Sequence, residues 1–166
     1  MNPEDKIKNS ETLAGILAEL KHRGKKVVFT NGCFDLLHPG HLHYLGKARA
    51  LGDLLVVGIN SDASVRGLKG EGRPLNPEQD RGLMLAGLTC VDFVTIFPEP
   101  EPYRLIHLLK PDVLVKGGDW TPDRINGADL VTLWGGKVFS LPFKPGYSTT
   151  KLVEKIVSRY GNLKNL

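Results

Sequence analysis

The sequence predicts an α/β domain built on a doubly wound parallel sheet of five strands, order 3-2-1-4-5, flanked by helices. Three observations carry this expectation. The apolar runs at residues 27–29 and 54–57 are continuous rather than alternating, the pattern of strands covered on both faces. Such runs take turns with segments of helical spacing, and that alternation stacks strands in parallel through right-handed crossovers. Turns rich in glycine, histidine or hydroxyl groups follow Asn31, follow Lys116 and precede Lys151. Ligands collect at such turns, beyond the carboxyl ends of the strands and at the switch point between the first and fourth.

Composition sets the limits. Among 166 residues, 41% hydrophobic content is enough for one core, so residues 1–166 are read as a single domain with a tail and helix over 1–24. No apolar run is long enough to span a bilayer, and the charged start lacks the apolar segment of a secretion signal. No membrane partner and cytoplasmic residence are therefore expected. Cys33 and Cys90 have neither metal-type spacing nor the density of a disulfide scaffold. The net charge of +4 includes no run of five basic residues, which argues against a nucleic-acid partner and suits a small anion.

Residues 1–9 are polar and expected to fray. Ser10 is placed to cap a helix whose Leu13, Ile16, Leu17 and Leu20 recur at helical spacing, with Gly24 as its stop. The first strand covers 26–31. Gly32 then turns the chain through Cys33, Phe34 and Asp35, and His38-Pro-Gly40-His41 opens a helix that ends near Leu51. Pro39 suits the first helical turn, where its missing N–H is no loss. Residues three apart share a helix face, so His38 and His41 converge while His43 lies off that face. Three readings of the pair stand: ordinary first-turn histidines, two zinc ligands lacking a credible third, or donors that reinforce an anion-binding helix start.

Residues 53–60 form the second strand, ending at Asn60, and a short helix follows near 63–66. The stretch 67–76 combines three glycines with Lys69 and Arg73, the composition of a solvated loop or of a mobile basic clamp. Asn76-Pro77-Glu78-Gln79 starts a helix that ends near Leu88 and carries Arg81. A strand at 91–97, a helix at 103–109, a strand at 112–116, a helical region at 123–133 and a strand at 137–141 follow. Tyr147, Ser148, Thr149 and Thr150 then lead a helix with Leu152, Ile156 and Val157 on its inner side; the hydroxyls serve as caps or as phosphate donors. No Gly-x-Gly-x-x-Gly follows the first strand, which weakens a dinucleotide oxidoreductase reading.

Several of these stretches carry a resemblance. Asn31-Gly-Cys-Phe-Asp35-Leu-Leu-His38-Pro-Gly-His41 resembles the His-x-Gly-His signature of the nucleotidyltransferase superfamily that includes cytidylyltransferases and pantetheine-phosphate adenylyltransferase. Ser61-Asp-Ala-Ser-Val-Arg66, Lys69-Gly-Glu-Gly-Arg73-Pro, Val115-Lys-Gly-Gly-Asp119-Trp, Gly127-Ala-Asp129 and Gly146-Tyr-Ser-Thr-Thr150 narrow it to the adenylyltransferase half of bacterial ADP-heptose synthesis proteins. The resemblance covers 25–156, which it marks as a catalytic core of Rossmann-like fold.

The resemblance implies attack of a sugar 1-phosphate oxygen, here that of D-glycero-D-manno-heptose 1-phosphate, on the α-phosphate of ATP, with release of pyrophosphate. Such chemistry needs alignment and charge neutralisation rather than a protein nucleophile. Catalytic roles then fall to His38, His41 and Lys69. The implied nucleotide site comprises Thr30, Asn31, Gly32, Cys33, Phe34, Gly40, His41, Arg81, Lys116, Gly117, Asp119, Tyr147, Ser148, Thr149 and Thr150, although a surface ion pair explains Arg81 equally well. The acceptor falls to Asp35, Asn60, Lys69, Arg73 and Trp120, with Asp35 also readable as a turn cap and Trp120 as a core residue.

Mg2+ is expected with ATP, its protein ligands unknown. The implied partners are ATP, a sugar 1-phosphate made by a separate sugar kinase, and a second copy of the chain in a homodimer; the product would serve cell-surface glycans such as lipopolysaccharide. One departure stands out. Many members of the superfamily carry an arginine where this chain has Val153, which leaves Lys151, Arg81 or Lys69 to supply the charge. The Ser-Thr-Thr form is shared with glycerol-phosphate cytidylyltransferases and does not choose the base. CTP-dependent transfer to glycerol 3-phosphate and a non-catalytic nucleotide-binding module are the competing readings.

Overall fold

The computed structural model describes residues 2–118, 120–142 and 144–161. Strand β1 (Val27–Gly32) is the axis of the sheet, because Val27, Val28, Phe29 and Thr30 are all fully buried. It pairs in parallel with β2 (Leu54–Asn60) on one side and β4 (Val113–Gly117) on the other. Strand β3 (Phe93–Phe97) adds to β2 and β5 (Lys137–Leu141) to β4, also in parallel. The order is β3-β2-β1-β4-β5, as the sequence predicts.

Successive side chains of a strand point to opposite faces, so each apolar run feeds two layers. Val27 and Phe29 of β1, Val56 of β2 and Leu114 of β4 pack with helices α1 (Ser10–His22), α5 (Tyr103–Leu109) and α6 (Ala128–Leu133). Val28, Leu55, Val57, Ile59 and Val115 pack on the other face, with Tyr44 and Leu45 of α2 (Pro39–Arg49) and Leu85 of α4 (Glu78–Ala86). Two helices stand closer to the sheet's carboxyl edge. These are α3 (Asp62–Lys69), longer than the sequence suggests, and α7 (Thr149–Tyr160), in which no residue is buried.

Four local expectations change. Residues 3–6 form a short 3-10 turn, Ile7 bridges to Val94, and the Lys6 ammonium donates to the carbonyls of Leu88 and Val91 at 3.2 and 2.9 Å. Residues 2–9 therefore cover the outer edge of β3, which an open sheet otherwise leaves unpaired. Asn9 rather than Ser10 caps α1, its side chain accepting from the Thr12 N–H at 2.8 Å. Asn76 does not cap α4; its amide donates instead to the Asp35 carbonyl at 2.8 Å. The region 123–133 divides into a 3-10 turn (Pro122–Arg124) and α6. Among the described residues no helix is long and apolar enough to cross a membrane.

Candidate active site

The first turn of α2 builds one wall of the site. His38 is the N-cap residue in extended conformation, and its Nδ1 accepts from the His41 N–H at 3.4 Å. The same N–H donates to the His38 carbonyl at 2.9 Å, and an accepting Nδ1 goes with a neutral ring whose hydrogen sits on Nε2. The two imidazoles stack with centroids 3.9 Å apart, and the Phe34 ring lies tilted against His41 at 5.3 Å. Gly40 makes this possible: a Cβ there would stand 2.9 Å from His38 Nδ1 and 3.0 Å from the Cβ of Tyr147.

Burial pushes His41 down to about 4, with the charges of His38 and Lys69 adding to the shift, and burial also lowers His38. Both rings are therefore neutral at neutral pH, each offering one N–H. The Nδ1 of His41 is buried with no hydrogen-bond partner among the described residues. Buried polar atoms are rarely left so, and a ligand oxygen or water would satisfy it.

Beside this wall, Asn31, Gly32, Cys33, Phe34, Asp35, His41, Tyr44, Lys69, Lys116, Gly117 and Thr149 line a cavity of about 210 Å³ at the carboxyl ends of β1 and β4. The Lys116 ammonium donates to Asn31 Oδ1 at 3.3 Å, and burial lowers its pKa. Thr30 does not line the cavity but braces it: its hydroxyl meets the Tyr44 hydroxyl at 2.6 Å, and Tyr44 donates to the Val115 carbonyl at 3.3 Å. Burial pushes Tyr44 up to about 12. Tyr44 is absent from the residues singled out in the sequence, yet it was within reach there, since it continues the three-residue spacing of His38 and His41.

The opposite wall is the start of α7. Ser148 caps it, accepting from the Lys151 N–H at 3.1 Å, while Thr149 lines the cavity and Thr150 is exposed. The Tyr147 ring stands 6.2 Å from that of His38, with the Lys144 ammonium 5.5 Å over its face.

Other residues singled out in the sequence are engaged within the protein. Arg81 is 1% exposed; its Nε donates to the Asn76 carbonyl at 3.0 Å, one terminal nitrogen to the Cys33 carbonyl, and the other to the Asn60 carbonyl at 2.9 Å and Asp62 at 2.7 Å. It is neither a surface ion pair nor a free phosphate clamp. Asn60 gives its amide to Ser64 Oγ at 3.0 Å and the Glu99 carbonyl at 3.1 Å. Asp35 accepts from Arg73 at 2.7 Å and from the Leu75 and Asn76 N–H groups at 2.8 and 3.1 Å. Trp120 is half exposed rather than part of the core, its N–H donating to Ser140 Oγ at 3.1 Å. Asp119 lies outside the described residues.

Nucleotidyl transfer is the chemistry that suits a cavity lined by the His41 imidazole, two ammonium groups and a hydroxyl-bearing helix start, with His38 stacked on His41 beside it, and comparison with known proteins agrees. Residues 29–155 match the family model described as cytidylyltransferase-like, and the chain belongs to that family of nucleotidyltransferases. It is 58% identical over 156 residues to the bifunctional protein HldE of Geobacter metallireducens, covering 94% of this chain and 32% of that protein. The HldE of Trichlorobacter lovleyi is 55% identical over 157 residues, again across 32% of its length. The chain thus spans about a third of the length of these relatives. Among solved structures, the lipopolysaccharide core biosynthesis protein from Thermoplasma volcanium aligns with 30% identity and a TM-score of 0.58, over 73% of this chain and 98% of that one. The pantoate-beta-alanine ligase of Francisella tularensis, at 19% identity and a TM-score of 0.58 over 96% and 81% of the two chains, shares the fold alone.

Proposed function

We propose that the chain transfers AMP from ATP to D-glycero-D-manno-heptose 1-phosphate, giving ADP-heptose and pyrophosphate. The observation that carries this reading is the 58% identity to one third of a protein named HldE, joined to a cavity furnished for phosphate. An oxygen of the acceptor phosphate attacks the α-phosphorus as the bond to the β-phosphate oxygen breaks, and the electron pair leaves with pyrophosphate. His38 and His41 donate N–H groups to the phosphate oxygens, while Lys69, Lys116 and Thr149 hold charge in place, a contribution that grows as charge develops.

The metal enters with the substrate. Among the described residues no group of three or more His, Cys, Asp or Glu could hold a metal ion, and the carboxylate of Asp35 is taken by Arg73. ATP is read as its Mg2+ complex, the ion carried on the phosphates, a mode that asks few ligands of the protein. A sugar kinase that supplies the heptose 1-phosphate, cytoplasmic residence, a homodimer and a cell-surface glycan as destination belong to the same proposal.

The test is pyrophosphate release from ATP or CTP with heptose 1-phosphates, hexose 1-phosphates or glycerol 3-phosphate, Mg2+ present. Turnover with ATP and the heptose 1-phosphate alone, lowered about 100-fold or more by His41→Ala, is the expected result. Turnover with CTP and glycerol 3-phosphate instead would replace the substrate pair, and ATP binding without turnover on any acceptor would overturn the proposed activity.

A further inference from the structure

We infer that Asp35 and Arg81 are positioning residues that pin both ends of the segment 62–76 to the turn at 33–35 and so set Lys69 beside His41. This rests on the proposed reaction only where turnover is measured.

Lys69 is the last residue of α3, exposed, and on the cavity lining. Directly after it the chain reverses at Gly70, whose φ of 91° lies in the left-handed region that glycine tolerates. Residues 70–72 are exposed loop whose bonds are local, the Gly70 N–H donating to the Arg66 carbonyl at 2.8 Å and the Arg73 N–H to the Gly70 carbonyl at 3.1 Å. The hold comes from further along. Arg73 donates to Asp35 Oδ2 at 2.7 Å, the Leu75 and Asn76 N–H groups donate to Oδ1, and the Asn76 amide donates to the Asp35 carbonyl. Four bonds from residues 73–76 thus end on one buried residue. At the other end, Arg81 holds Asp62 at the start of α3 and, through the same guanidinium, the carbonyls of Asn60, Asn76 and Cys33.

Both pins therefore close on the turn that lines the cavity. Phe34, between them, has a φ of 47°, a conformation that side-chain-bearing residues seldom adopt. It sets the Asp35 carboxylate toward the segment 73–76 and its own ring against His41. Lys69 and His41 are consequently referred to one frame. The carboxylate is stable there as an anion: burial alone would raise its pKa, but the bonds from Arg73, Asn76 and Leu75 outweigh it and hold the group below the usual carboxylate range.

A residue that acts only through Lys69 has no further effect once Lys69 is gone. The experiment is a double-mutant cycle with Lys69→Ala and Arg73→Ala, with Asp35→Asn as a second way to open the same pin. Lys69→Ala should lower kcat about 100-fold and Arg73→Ala about tenfold, while the pair is no worse than Lys69→Ala within about twofold. Fully multiplicative losses would overturn the proposal. A second readout needs no substrate. The His41 ring, titrated by nitrogen NMR, should gain basicity in Lys69→Ala and by a similar amount in Arg73→Ala, and amide exchange at 67–76 should quicken in Arg73→Ala while α2 is unchanged. An unmoved His41 in Arg73→Ala, with the shift present in Lys69→Ala, would refute the positioning role whatever the acceptor proves to be.

Discussion

Two helix starts face the cavity, and they are held differently. Helix α2 buries Tyr44, Leu45 and Ala48, so its first turn, with His38 and His41, is seated on the core. Helix α7 buries none of its 12 residues, and Ile156, Val157 and Tyr160 remain 47%, 59% and 51% exposed. Leu152 lines a groove together with Leu37, Leu83 and Met84. A helix of this length is marginal in water without tertiary packing. The contrast teaches a division of labour: the histidine side is rigid before ligand arrives, and the hydroxyl side carries a share of the ordering cost of binding.

The largest effect expected from this division is on the histidine side. In the proposed reaction, His41→Ala removes a donor from a fixed position and should lower kcat by about 100- to 1,000-fold with KM for ATP little changed. Thr149→Ala, on the mobile side, should act mainly on KM and by about tenfold. Steady-state kinetics of the two variants decides the matter. Similar kcat losses from both would remove the distinction between the walls.

Gly40 is where the two walls meet, so Gly40→Ala tests the comparison from the middle. The added methyl would press on His38 Nδ1 at 2.9 Å and on the Cβ of Tyr147 at 3.0 Å. Since α2 is the rigid partner, Tyr147 and the start of α7 should give way, with a rise in KM for ATP of about tenfold and a smaller fall in kcat. A crystal structure of the variant with His38 displaced and Tyr147 unmoved would reverse the assignment of rigid and yielding sides.

A smaller effect belongs to the α7 cap. Ser148→Ala removes the acceptor of the Lys151 N–H and should cost about 1 kcal/mol, confined to α7. Hydrogen exchange should quicken in α7 alone, because the core helices do not depend on it. Uniform quickening across the sheet would show α7 to be part of the cooperative core.

The same contrast governs what could be read in the sequence. Strand order and the two faces of the sheet were legible because continuous apolar runs such as 54–57 permit no other burial, and the strand-end turns followed from that order. The His38 and His41 pairing was legible from spacing alone. Arg81 was not: beside Asp62, its partners are the carbonyls of Cys33, Asn60 and Asn76, groups that every residue carries and whose positions only the tertiary fold determines. Residues 2–9 read as frayed because their cover of the β3 edge depends on β3 being an edge at all. Asn9 and Ser10 are both competent caps, and the choice between neighbours rests on where the chain enters from β3.

The rigid side also leaves a mark on stability against pH. An imidazole held at about 4 in the folded chain against 6.5 in the unfolded one means that the unfolded chain takes up its proton first as pH falls. The contribution of His41 is thus fully present above about pH 6.5 and is lost between there and about pH 4. Asp35, held below the usual carboxylate range, behaves differently: its contribution persists down to the ordinary carboxylate pKa and is lost only as pH falls further, through the folded value. Melting temperature measured across this range should therefore fall in two windows, the upper one belonging to the histidine turn and the lower including the Asp35 pin. His41→Gln removes the titrating group from the upper window, and Asp35→Asn removes one from the lower. Equal slopes between pH 6.5 and 4 in His41→Gln and the unmodified chain would mean that His41 is not the group held neutral by burial.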